Sequence, residues 1–168
     1  MREGPPGNWQ QCTSVTLQKV WEWAKDNVTK EEIINKLFIG TDNEGRTAWH
    51  LASMRGNTET LQKLWDWAKE KLTTDEINNK LLIGTDNEEK TAWHLAAMSG
   101  NSETLQKLWE WAKEKLITGE IINKLLIGTD IEGKTAWHLA AMSGNSETLQ
   151  KVWEWAKENL KRDEIINK

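Results

Sequence analysis

Cysteine and long apolar runs are the two features that this sequence most lacks. Its 168 residues include one cysteine, Cys12, which can form neither an internal disulfide nor a cysteine-based metal site. No stretch approaches the ~18 apolar residues of a membrane-spanning helix, and the opening MREGPPGNWQQ lacks the apolar core of a signal peptide. We therefore expect an intracellular protein in the cytoplasm, with the nucleus left open, and no membrane association.

The sequence also lacks an excess of one charge. Its 22 basic and 26 acidic residues give a net charge of −4 and are distributed throughout the chain. Nucleic acids and anionic lipids are bound by basic surfaces, so neither is expected as a partner. With 38% hydrophobic residues, the chain can bury about two thirds of its unfolded surface and should form a folded domain.

Tryptophan, in contrast, is abundant, and its spacing shows an internal repeat. Trp49, Trp93 and Trp137 are 44 residues apart, and four Trp-x-Trp pairs keep the same step. Residues 41–84 and 85–128 differ at nine of 44 positions. We interpret residues 1–168 as one repeat domain, with a partial unit at 1–40, full units at 41–84 and 85–128, and a truncated unit at 129–168.

Each unit carries helical patterns. In the third unit one apolar stripe predicts a helix over 102–116, and it consists of Leu105, Leu108, Trp109, Ala112 and Leu116. A shorter segment, 91–99, ends at Gly100, a residue suited to a left-handed helix end, and Asn101 and Ser102 can cap the next helix. These two segments therefore predict a pair of antiparallel helices in each unit.

A short third helix is predicted after the pair. Thr73 and Glu76 form a capping-box pattern, which Thr29 and Glu32 repeat, and Gly84 marks the end of the segment. Ile117 and Lys161 replace the threonine in the later units, so those helix starts should be weaker.

The turn and first helix carry a known pattern. The string DNEGRTAWHLASMRGN at 42–57 resembles the ankyrin repeat signature D-x-x-G-x-T-P-L-H-x-A-A-x-x-G, and it recurs from Asp86 and Asp130. The matching residues of the first copy are Asp42, Gly45, Thr47, His50, Ala52 and Gly56. The resemblance implies an all-α solenoid of stacked antiparallel helix pairs with projecting turns. The usual period is about 33 residues, and the excess here lengthens the second helix and adds the third.

Departures from the family pattern carry expectations of their own. Ala48 replaces the proline at the helix start, and Trp49 replaces a leucine. Glu89 stands where the neighbouring units have Gly45 and Gly133. If that position needs a positive φ, glutamate costs about 1 kcal/mol.

The tryptophans allow two interpretations. Large rings can fill the space between longer helices, or the second ring of each pair can form an exposed ladder that stacks bases or encloses a methylated lysine. That ladder would consist of Trp23, Trp67, Trp111 and Trp155. Asp66, Glu110 and Glu154 lie between the paired rings and argue against it.

The histidines are the obvious candidates for catalysis or metal binding, but they lie one unit apart, too far to share an ion. The resemblance implies a structural role instead, in which each histidine bonds with the threonine of its own motif and with an adjacent turn. The pairs are Thr47 with His50, Thr91 with His94, and Thr135 with His138. No catalytic set or phosphate loop is found, so neither an enzyme nor a cofactor is expected.

A protein-binding scaffold is the function that the resemblance implies, with contact made by the turn tips and the ends of the first helices. These residues are Asn43, Glu44, Arg46, Met54 and Arg55, then Asn87, Glu88, Lys90, Met98 and Ser99, then Ile131, Glu132, Lys134, Met142 and Ser143. Exposed methionine offers adaptable apolar contact, and an apolar Ile131 in a turn has no evident structural purpose.

Two further interpretations stay open. Near-identical units and abrupt array ends also suit an artificial or consensus-like array without a natural partner, although Glu89, Gly119 and the lost threonine caps equally suit a duplicated natural gene. The last unit also leaves apolar residues without a following unit, which predicts end-to-end self-association. Those residues are Val152, Trp153, Leu160, Ile165 and Ile166.

Overall fold

The computed structural model describes residues 9–160, with side chains from residue 15 onward, so Lys161, Ile165 and Ile166 lie outside it. The described part is helical, and its only extended pairing consists of two isolated bridges, Thr85 with Thr91 and Thr129 with Thr135. The predicted all-α solenoid is confirmed. Its elements are α1 (Trp9–Asn27), α2 (Lys30–Glu32), π1 (Ile33–Phe38), α3 (Ala48–Arg55), α4 (Thr58–Lys71), α5 (Thr74–Glu76), π2 (Ile77–Leu82), α6 (Ala92–Ser99), α7 (Ser102–Lys115), α8 (Thr118–Glu120), π3 (Ile121–Leu126), α9 (Ala136–Ser143) and α10 (Ser146–Asn159).

The helices stack in two rows. The first helices α3, α6 and α9 pack side by side, and the second helices α1, α4, α7 and α10 form a parallel row behind them. The predicted caps set their ends. Gly100 ends α6 at φ +68°, and the Asn101 side chain begins α7 by accepting a hydrogen bond from Thr104 N at 2.8 Å.

In the first three units the third segment begins as an α-turn and continues as a π-helix. Thr73 and Glu76 form the predicted capping box, with Glu76 Oε2 accepting from Thr73 N at 2.8 Å. At Ile117 only half of the box forms, because its side chain has no acceptor and Glu120 alone caps the Ile117 N–H. The wider π-turn places residues at i, i+4 and i+5 on one face, and all three are buried in π2: Ile77, Leu81 and Leu82.

Tryptophan rings fill the space between successive second helices. In three of the four pairs the first ring stacks on the second ring of the next unit, as Trp21 does on Trp67 at 4.6 Å and Trp109 on Trp155 at 4.8 Å between centroids. Trp111 and Trp155 are consequently buried and Trp67 is half-buried, so the alternative interpretation as an exposed ladder is wrong for these three rings. Of that set only Trp23 is exposed, since no described unit precedes it.

Candidate interaction surface of the turns

The turns between units project as three fingers, which we number 1 (residues 41–47), 2 (85–91) and 3 (129–135). In finger 1 the Asp42 carboxylate accepts hydrogen bonds from Glu44 N at 3.0 Å and Arg46 N at 2.9 Å. Asp86 and Asp130 bind the same two amides of fingers 2 and 3 and are buried. Each aspartate therefore stabilises the conformation of its own finger through these two hydrogen bonds.

The fingers are also joined to one another through their backbones. Asn87 N donates to Glu44 O at 2.9 Å, and Ile131 N donates to Glu88 O at 3.0 Å. Gly45 has φ +73°, and Glu89 takes the same left-handed region at φ +59°, as its position predicts. A Cβ at Gly45 would meet Asn87 N at 2.9 Å, so glycine there allows close approach as well as a positive φ.

The histidines lie beneath the fingers. His50 Nδ1 accepts from Thr47 N at 3.3 Å, which makes Nε2 the protonated nitrogen, and Nε2 donates to Gly84 O of the next turn at 3.0 Å. Burial lowers the pKa of both His50 and His94, although the hydrogen bond to the glycine carbonyl opposes this effect. His138 contacts Thr135 in the same way but is exposed.

Fingers 1 and 2 enclose a cleft of about 410 Å³. Seven of the predicted contact residues line it: Asn43, Glu44, Arg46, Met54, Asn87, Glu88 and Met98. Asp86 and the buried Leu95 line it too, and sequence reasoning missed both. From the sequence, Asp86 reads as a turn residue and Leu95 as a core residue. Only the arrangement of the two fingers shows that each also lines the cleft.

The remaining predicted contact residues lie outside this cleft. They are Arg55, Lys90, Ser99, Ile131, Glu132, Lys134, Met142 and Ser143. The Ser99 and Ser143 hydroxyls donate to carbonyls of their own helices at 2.8 and 2.7 Å. Ile131 and Met142 are 59% and 65% exposed, so finger 3 and the end of α9 present apolar contact area beside the cleft.

The fingers hold the net negative charge of the chain. Together they contain seven carboxylates and three cations, an excess of four that equals the net charge of the whole sequence. The cations pair with glutamates of their own fingers, as Arg46 does with Glu44 and Lys90 with Glu88. The Arg46 guanidinium also binds Asp42 at 2.8 Å, and this hydrogen bond lowers the pKa of that carboxyl group.

Within the part of the chain that the structure describes, histidine, cysteine and acidic side chains form no group able to hold a metal ion. Over the same residues, every helix is too short or too polar to span a bilayer.

Comparison with known proteins agrees with the pattern of the turns. A family model described as ankyrin repeats, in three copies, matches residues 22–118, more than half of the chain. No curated protein matches the sequence. Ankyrin repeats generally mediate protein–protein interaction, and their proteins are typically binding modules rather than enzymes. The chain belongs to the ankyrin repeat family.

Proposed function

We propose that the chain is an intracellular protein-binding module that holds a basic segment of its ligand against fingers 1 and 2. The cleft between these fingers carries the proposal, because it joins an apolar floor to an acidic rim. Met54, Leu95 and Met98 supply the floor, and Glu44 and Glu88 stand exposed above it.

The charges favour a cationic ligand over an anionic one. Arg46 is occupied by Asp42 and Glu44, so no cation of finger 1 is left to bind an incoming carboxylate or phosphate. Finger 2 adds the exposed Glu89 to Glu88 and has only Lys90 as a cation. Complementary charge of this kind raises the association rate and makes the affinity depend on salt.

A displayed library of random peptides, selected on the immobilised chain, tests the proposal. We expect selected peptides rich in lysine, arginine and large apolar residues, with affinities that fall as salt rises. Replacing Glu44→Lys and Glu88→Lys together should weaken binding of a selected peptide by roughly tenfold or more in calorimetry.

Glu110→Lys is the matched control. Glu110 is exposed on α7, and its side chain accepts a hydrogen bond from Gln106 at 3.1 Å. This substitution makes one such charge reversal away from the fingers and should leave binding unchanged. Selected peptides that are acidic, or that bind the double finger variant as tightly as the original chain, would contradict the proposal.

A further inference from the structure

The tryptophans form a repeated interlock between units. In each complete instance, a pair of rings on the first and second helix of one unit receives a third ring from the next unit. Trp49 and Trp65 receive Trp111, at 5.5 and 4.7 Å between centroids, and the same arrangement recurs one unit later. There the pair is Trp93 and Trp109, and the received ring is Trp155.

The last such pair receives no ring from the described residues. The ring centroids of Trp137 and Trp153 lie 5.8 Å apart, close to the 5.6 Å between Trp93 and Trp109. We call this last pair of rings the socket, and it has the same geometry as the pair one unit earlier. Its rings are 38% and 43% exposed, whereas Trp93 is only 1% exposed. Two neighbouring aromatic rings are therefore partly exposed at this end of the described solenoid.

The other end of the solenoid carries the matching ring. Trp23 occupies the position of Trp67, Trp111 and Trp155, but it is 61% exposed, and no ring of residues 15–160 stacks on it. Val20, three positions earlier on α1 and so on the same side of the helix, is 47% exposed. One chain thus presents a free ring at one end and an open socket at the other.

We propose that copies of this chain associate head to tail, with Trp23 of one copy stacked in the Trp137–Trp153 socket of the next. The contact continues the interface that already joins the second helices within the chain. Polar groups fit the same register: Lys151 donates to Gln106 at 3.1 Å inside the chain, and the equivalent pair across copies is Lys19 with exposed Gln150.

Two of the apolar residues at the C-terminal end of the solenoid contribute little to this contact between copies. Val152, predicted from sequence as an open apolar residue, is 1% exposed, because it packs in the hydrophobic core. Leu160 is half-buried. The association therefore depends on the tryptophans. Because the two surfaces differ, a dimer still has an unused Trp23 and an unused socket, so association can continue beyond the dimer.

Sedimentation of the full chain over micromolar to submillimolar concentrations tests this proposal. The average mass should rise beyond that of a dimer as concentration increases. Trp23→Ala and Trp153→Ala should each weaken association by roughly 30-fold, the loss typical of a central aromatic contact. A chain that stays monomeric throughout the series would overturn the proposal.

Mixing the two variants separates head-to-tail contact from other modes. Trp23→Ala keeps its socket and Trp153→Ala keeps its free ring, so an equal mixture should form dimers and nothing larger. No dimer in the mixture, or growth past a dimer, would overturn the proposal. Trp137→Ala removes the other ring of the socket and must reproduce the result of Trp153→Ala.

Ile117→Ala is the matched control for loss of exposed apolar surface. Ile117 is 71% exposed in an interior unit, away from both tryptophan surfaces, and its replacement should leave the mass profile unchanged. Circular dichroism of every variant should retain the helical spectrum, since the replaced rings are all partly exposed. Equal loss of association in Ile117→Ala would show non-specific clustering and overturn the proposal.

Discussion

The indole of Trp111 stacks on that of Trp65 from the preceding unit, with centroids 4.7 Å apart and planes 15° apart. Both rings are at least 93% buried, so this contact ties α4 to α7 through apolar surface rather than through hydrogen bonds. Stacked aromatic pairs contribute about 0.5–1.5 kcal/mol beyond the burial of their area. The stability of the array should therefore depend strongly on these rings.

Trp111→Ala is expected to lower the free energy of unfolding by about 3–5 kcal/mol, because it leaves a large cavity between two units. Urea denaturation followed by circular dichroism, at concentrations too low for association, measures the loss. Trp23→Ala removes the equivalent but exposed ring and should change stability by no more than about 0.5 kcal/mol. Equal losses of unfolding free energy in the two variants would show that the buried stacking of Trp111 adds no stability beyond that of an exposed ring.

Glu89→Gly should stabilise the chain by about 1 kcal/mol, since glutamate at φ +59° is strained and glycine is not. Gly133→Ala should cost a similar amount, because its Cβ would meet nothing within 4 Å and only the backbone is strained. Gly45→Ala should lower the free energy of unfolding further, because its Cβ would also clash with Asn87. Thermal unfolding of the three variants ranks them, and a destabilised Glu89→Gly would contradict the assignment of strain.

Ile117→Thr should stabilise the third unit by about 0.5–1 kcal/mol, because the hydroxyl can accept from Glu120 N and complete the capping box. Ile117 is 71% exposed, so little apolar burial is lost. The reciprocal change, Thr73→Val, removes the acceptor that binds Glu76 N at 3.3 Å and should cost about 1 kcal/mol. Urea midpoints measure both, and shifts of the same sign would argue against the cap as their cause.

Stability should fall as pH drops below about 6.5, because His50 and His94 are buried as neutral rings and their pKa values are lowered. Their folded pKa values lie below the unfolded value of 6.5. The unfolded chain therefore takes up protons first, and the loss begins near that value and ends at the folded pKa. Each histidine contributes at most about 1.4 kcal/mol per pH unit in this window.

Urea denaturation at several pH values measures this slope, and carboxyl groups contribute little to it because they titrate lower. His94→Gln removes one of the two buried titrating rings and should give a shallower loss. Unfolding free energies that stay constant across the window would contradict the neutral, buried assignment of these histidines.

Some features of the finger surface followed from sequence and others did not. The ankyrin-like pattern predicted that Asn43, Glu44, Asn87 and Glu88 lie in turns, and they do lie in turns and line the cleft. The cleft itself could not be predicted, since its walls belong to two fingers whose separation depends on how α3 packs on α6. The residue Leu95 shows the difficulty, because a core leucine and a cleft floor have the same sequence pattern.

By itself, the sequence determined the features that depend on residues near one another along the chain. These include the 44-residue period, the helix caps, and the positive φ that glutamate adopts in place of glycine at position 89. Only the tertiary structure decided where the second tryptophan of each pair lies. Helical geometry turned Trp111 away from its own unit, but its burial depends on contact with Trp65, 46 positions earlier, and local propensity carries no information about that distance.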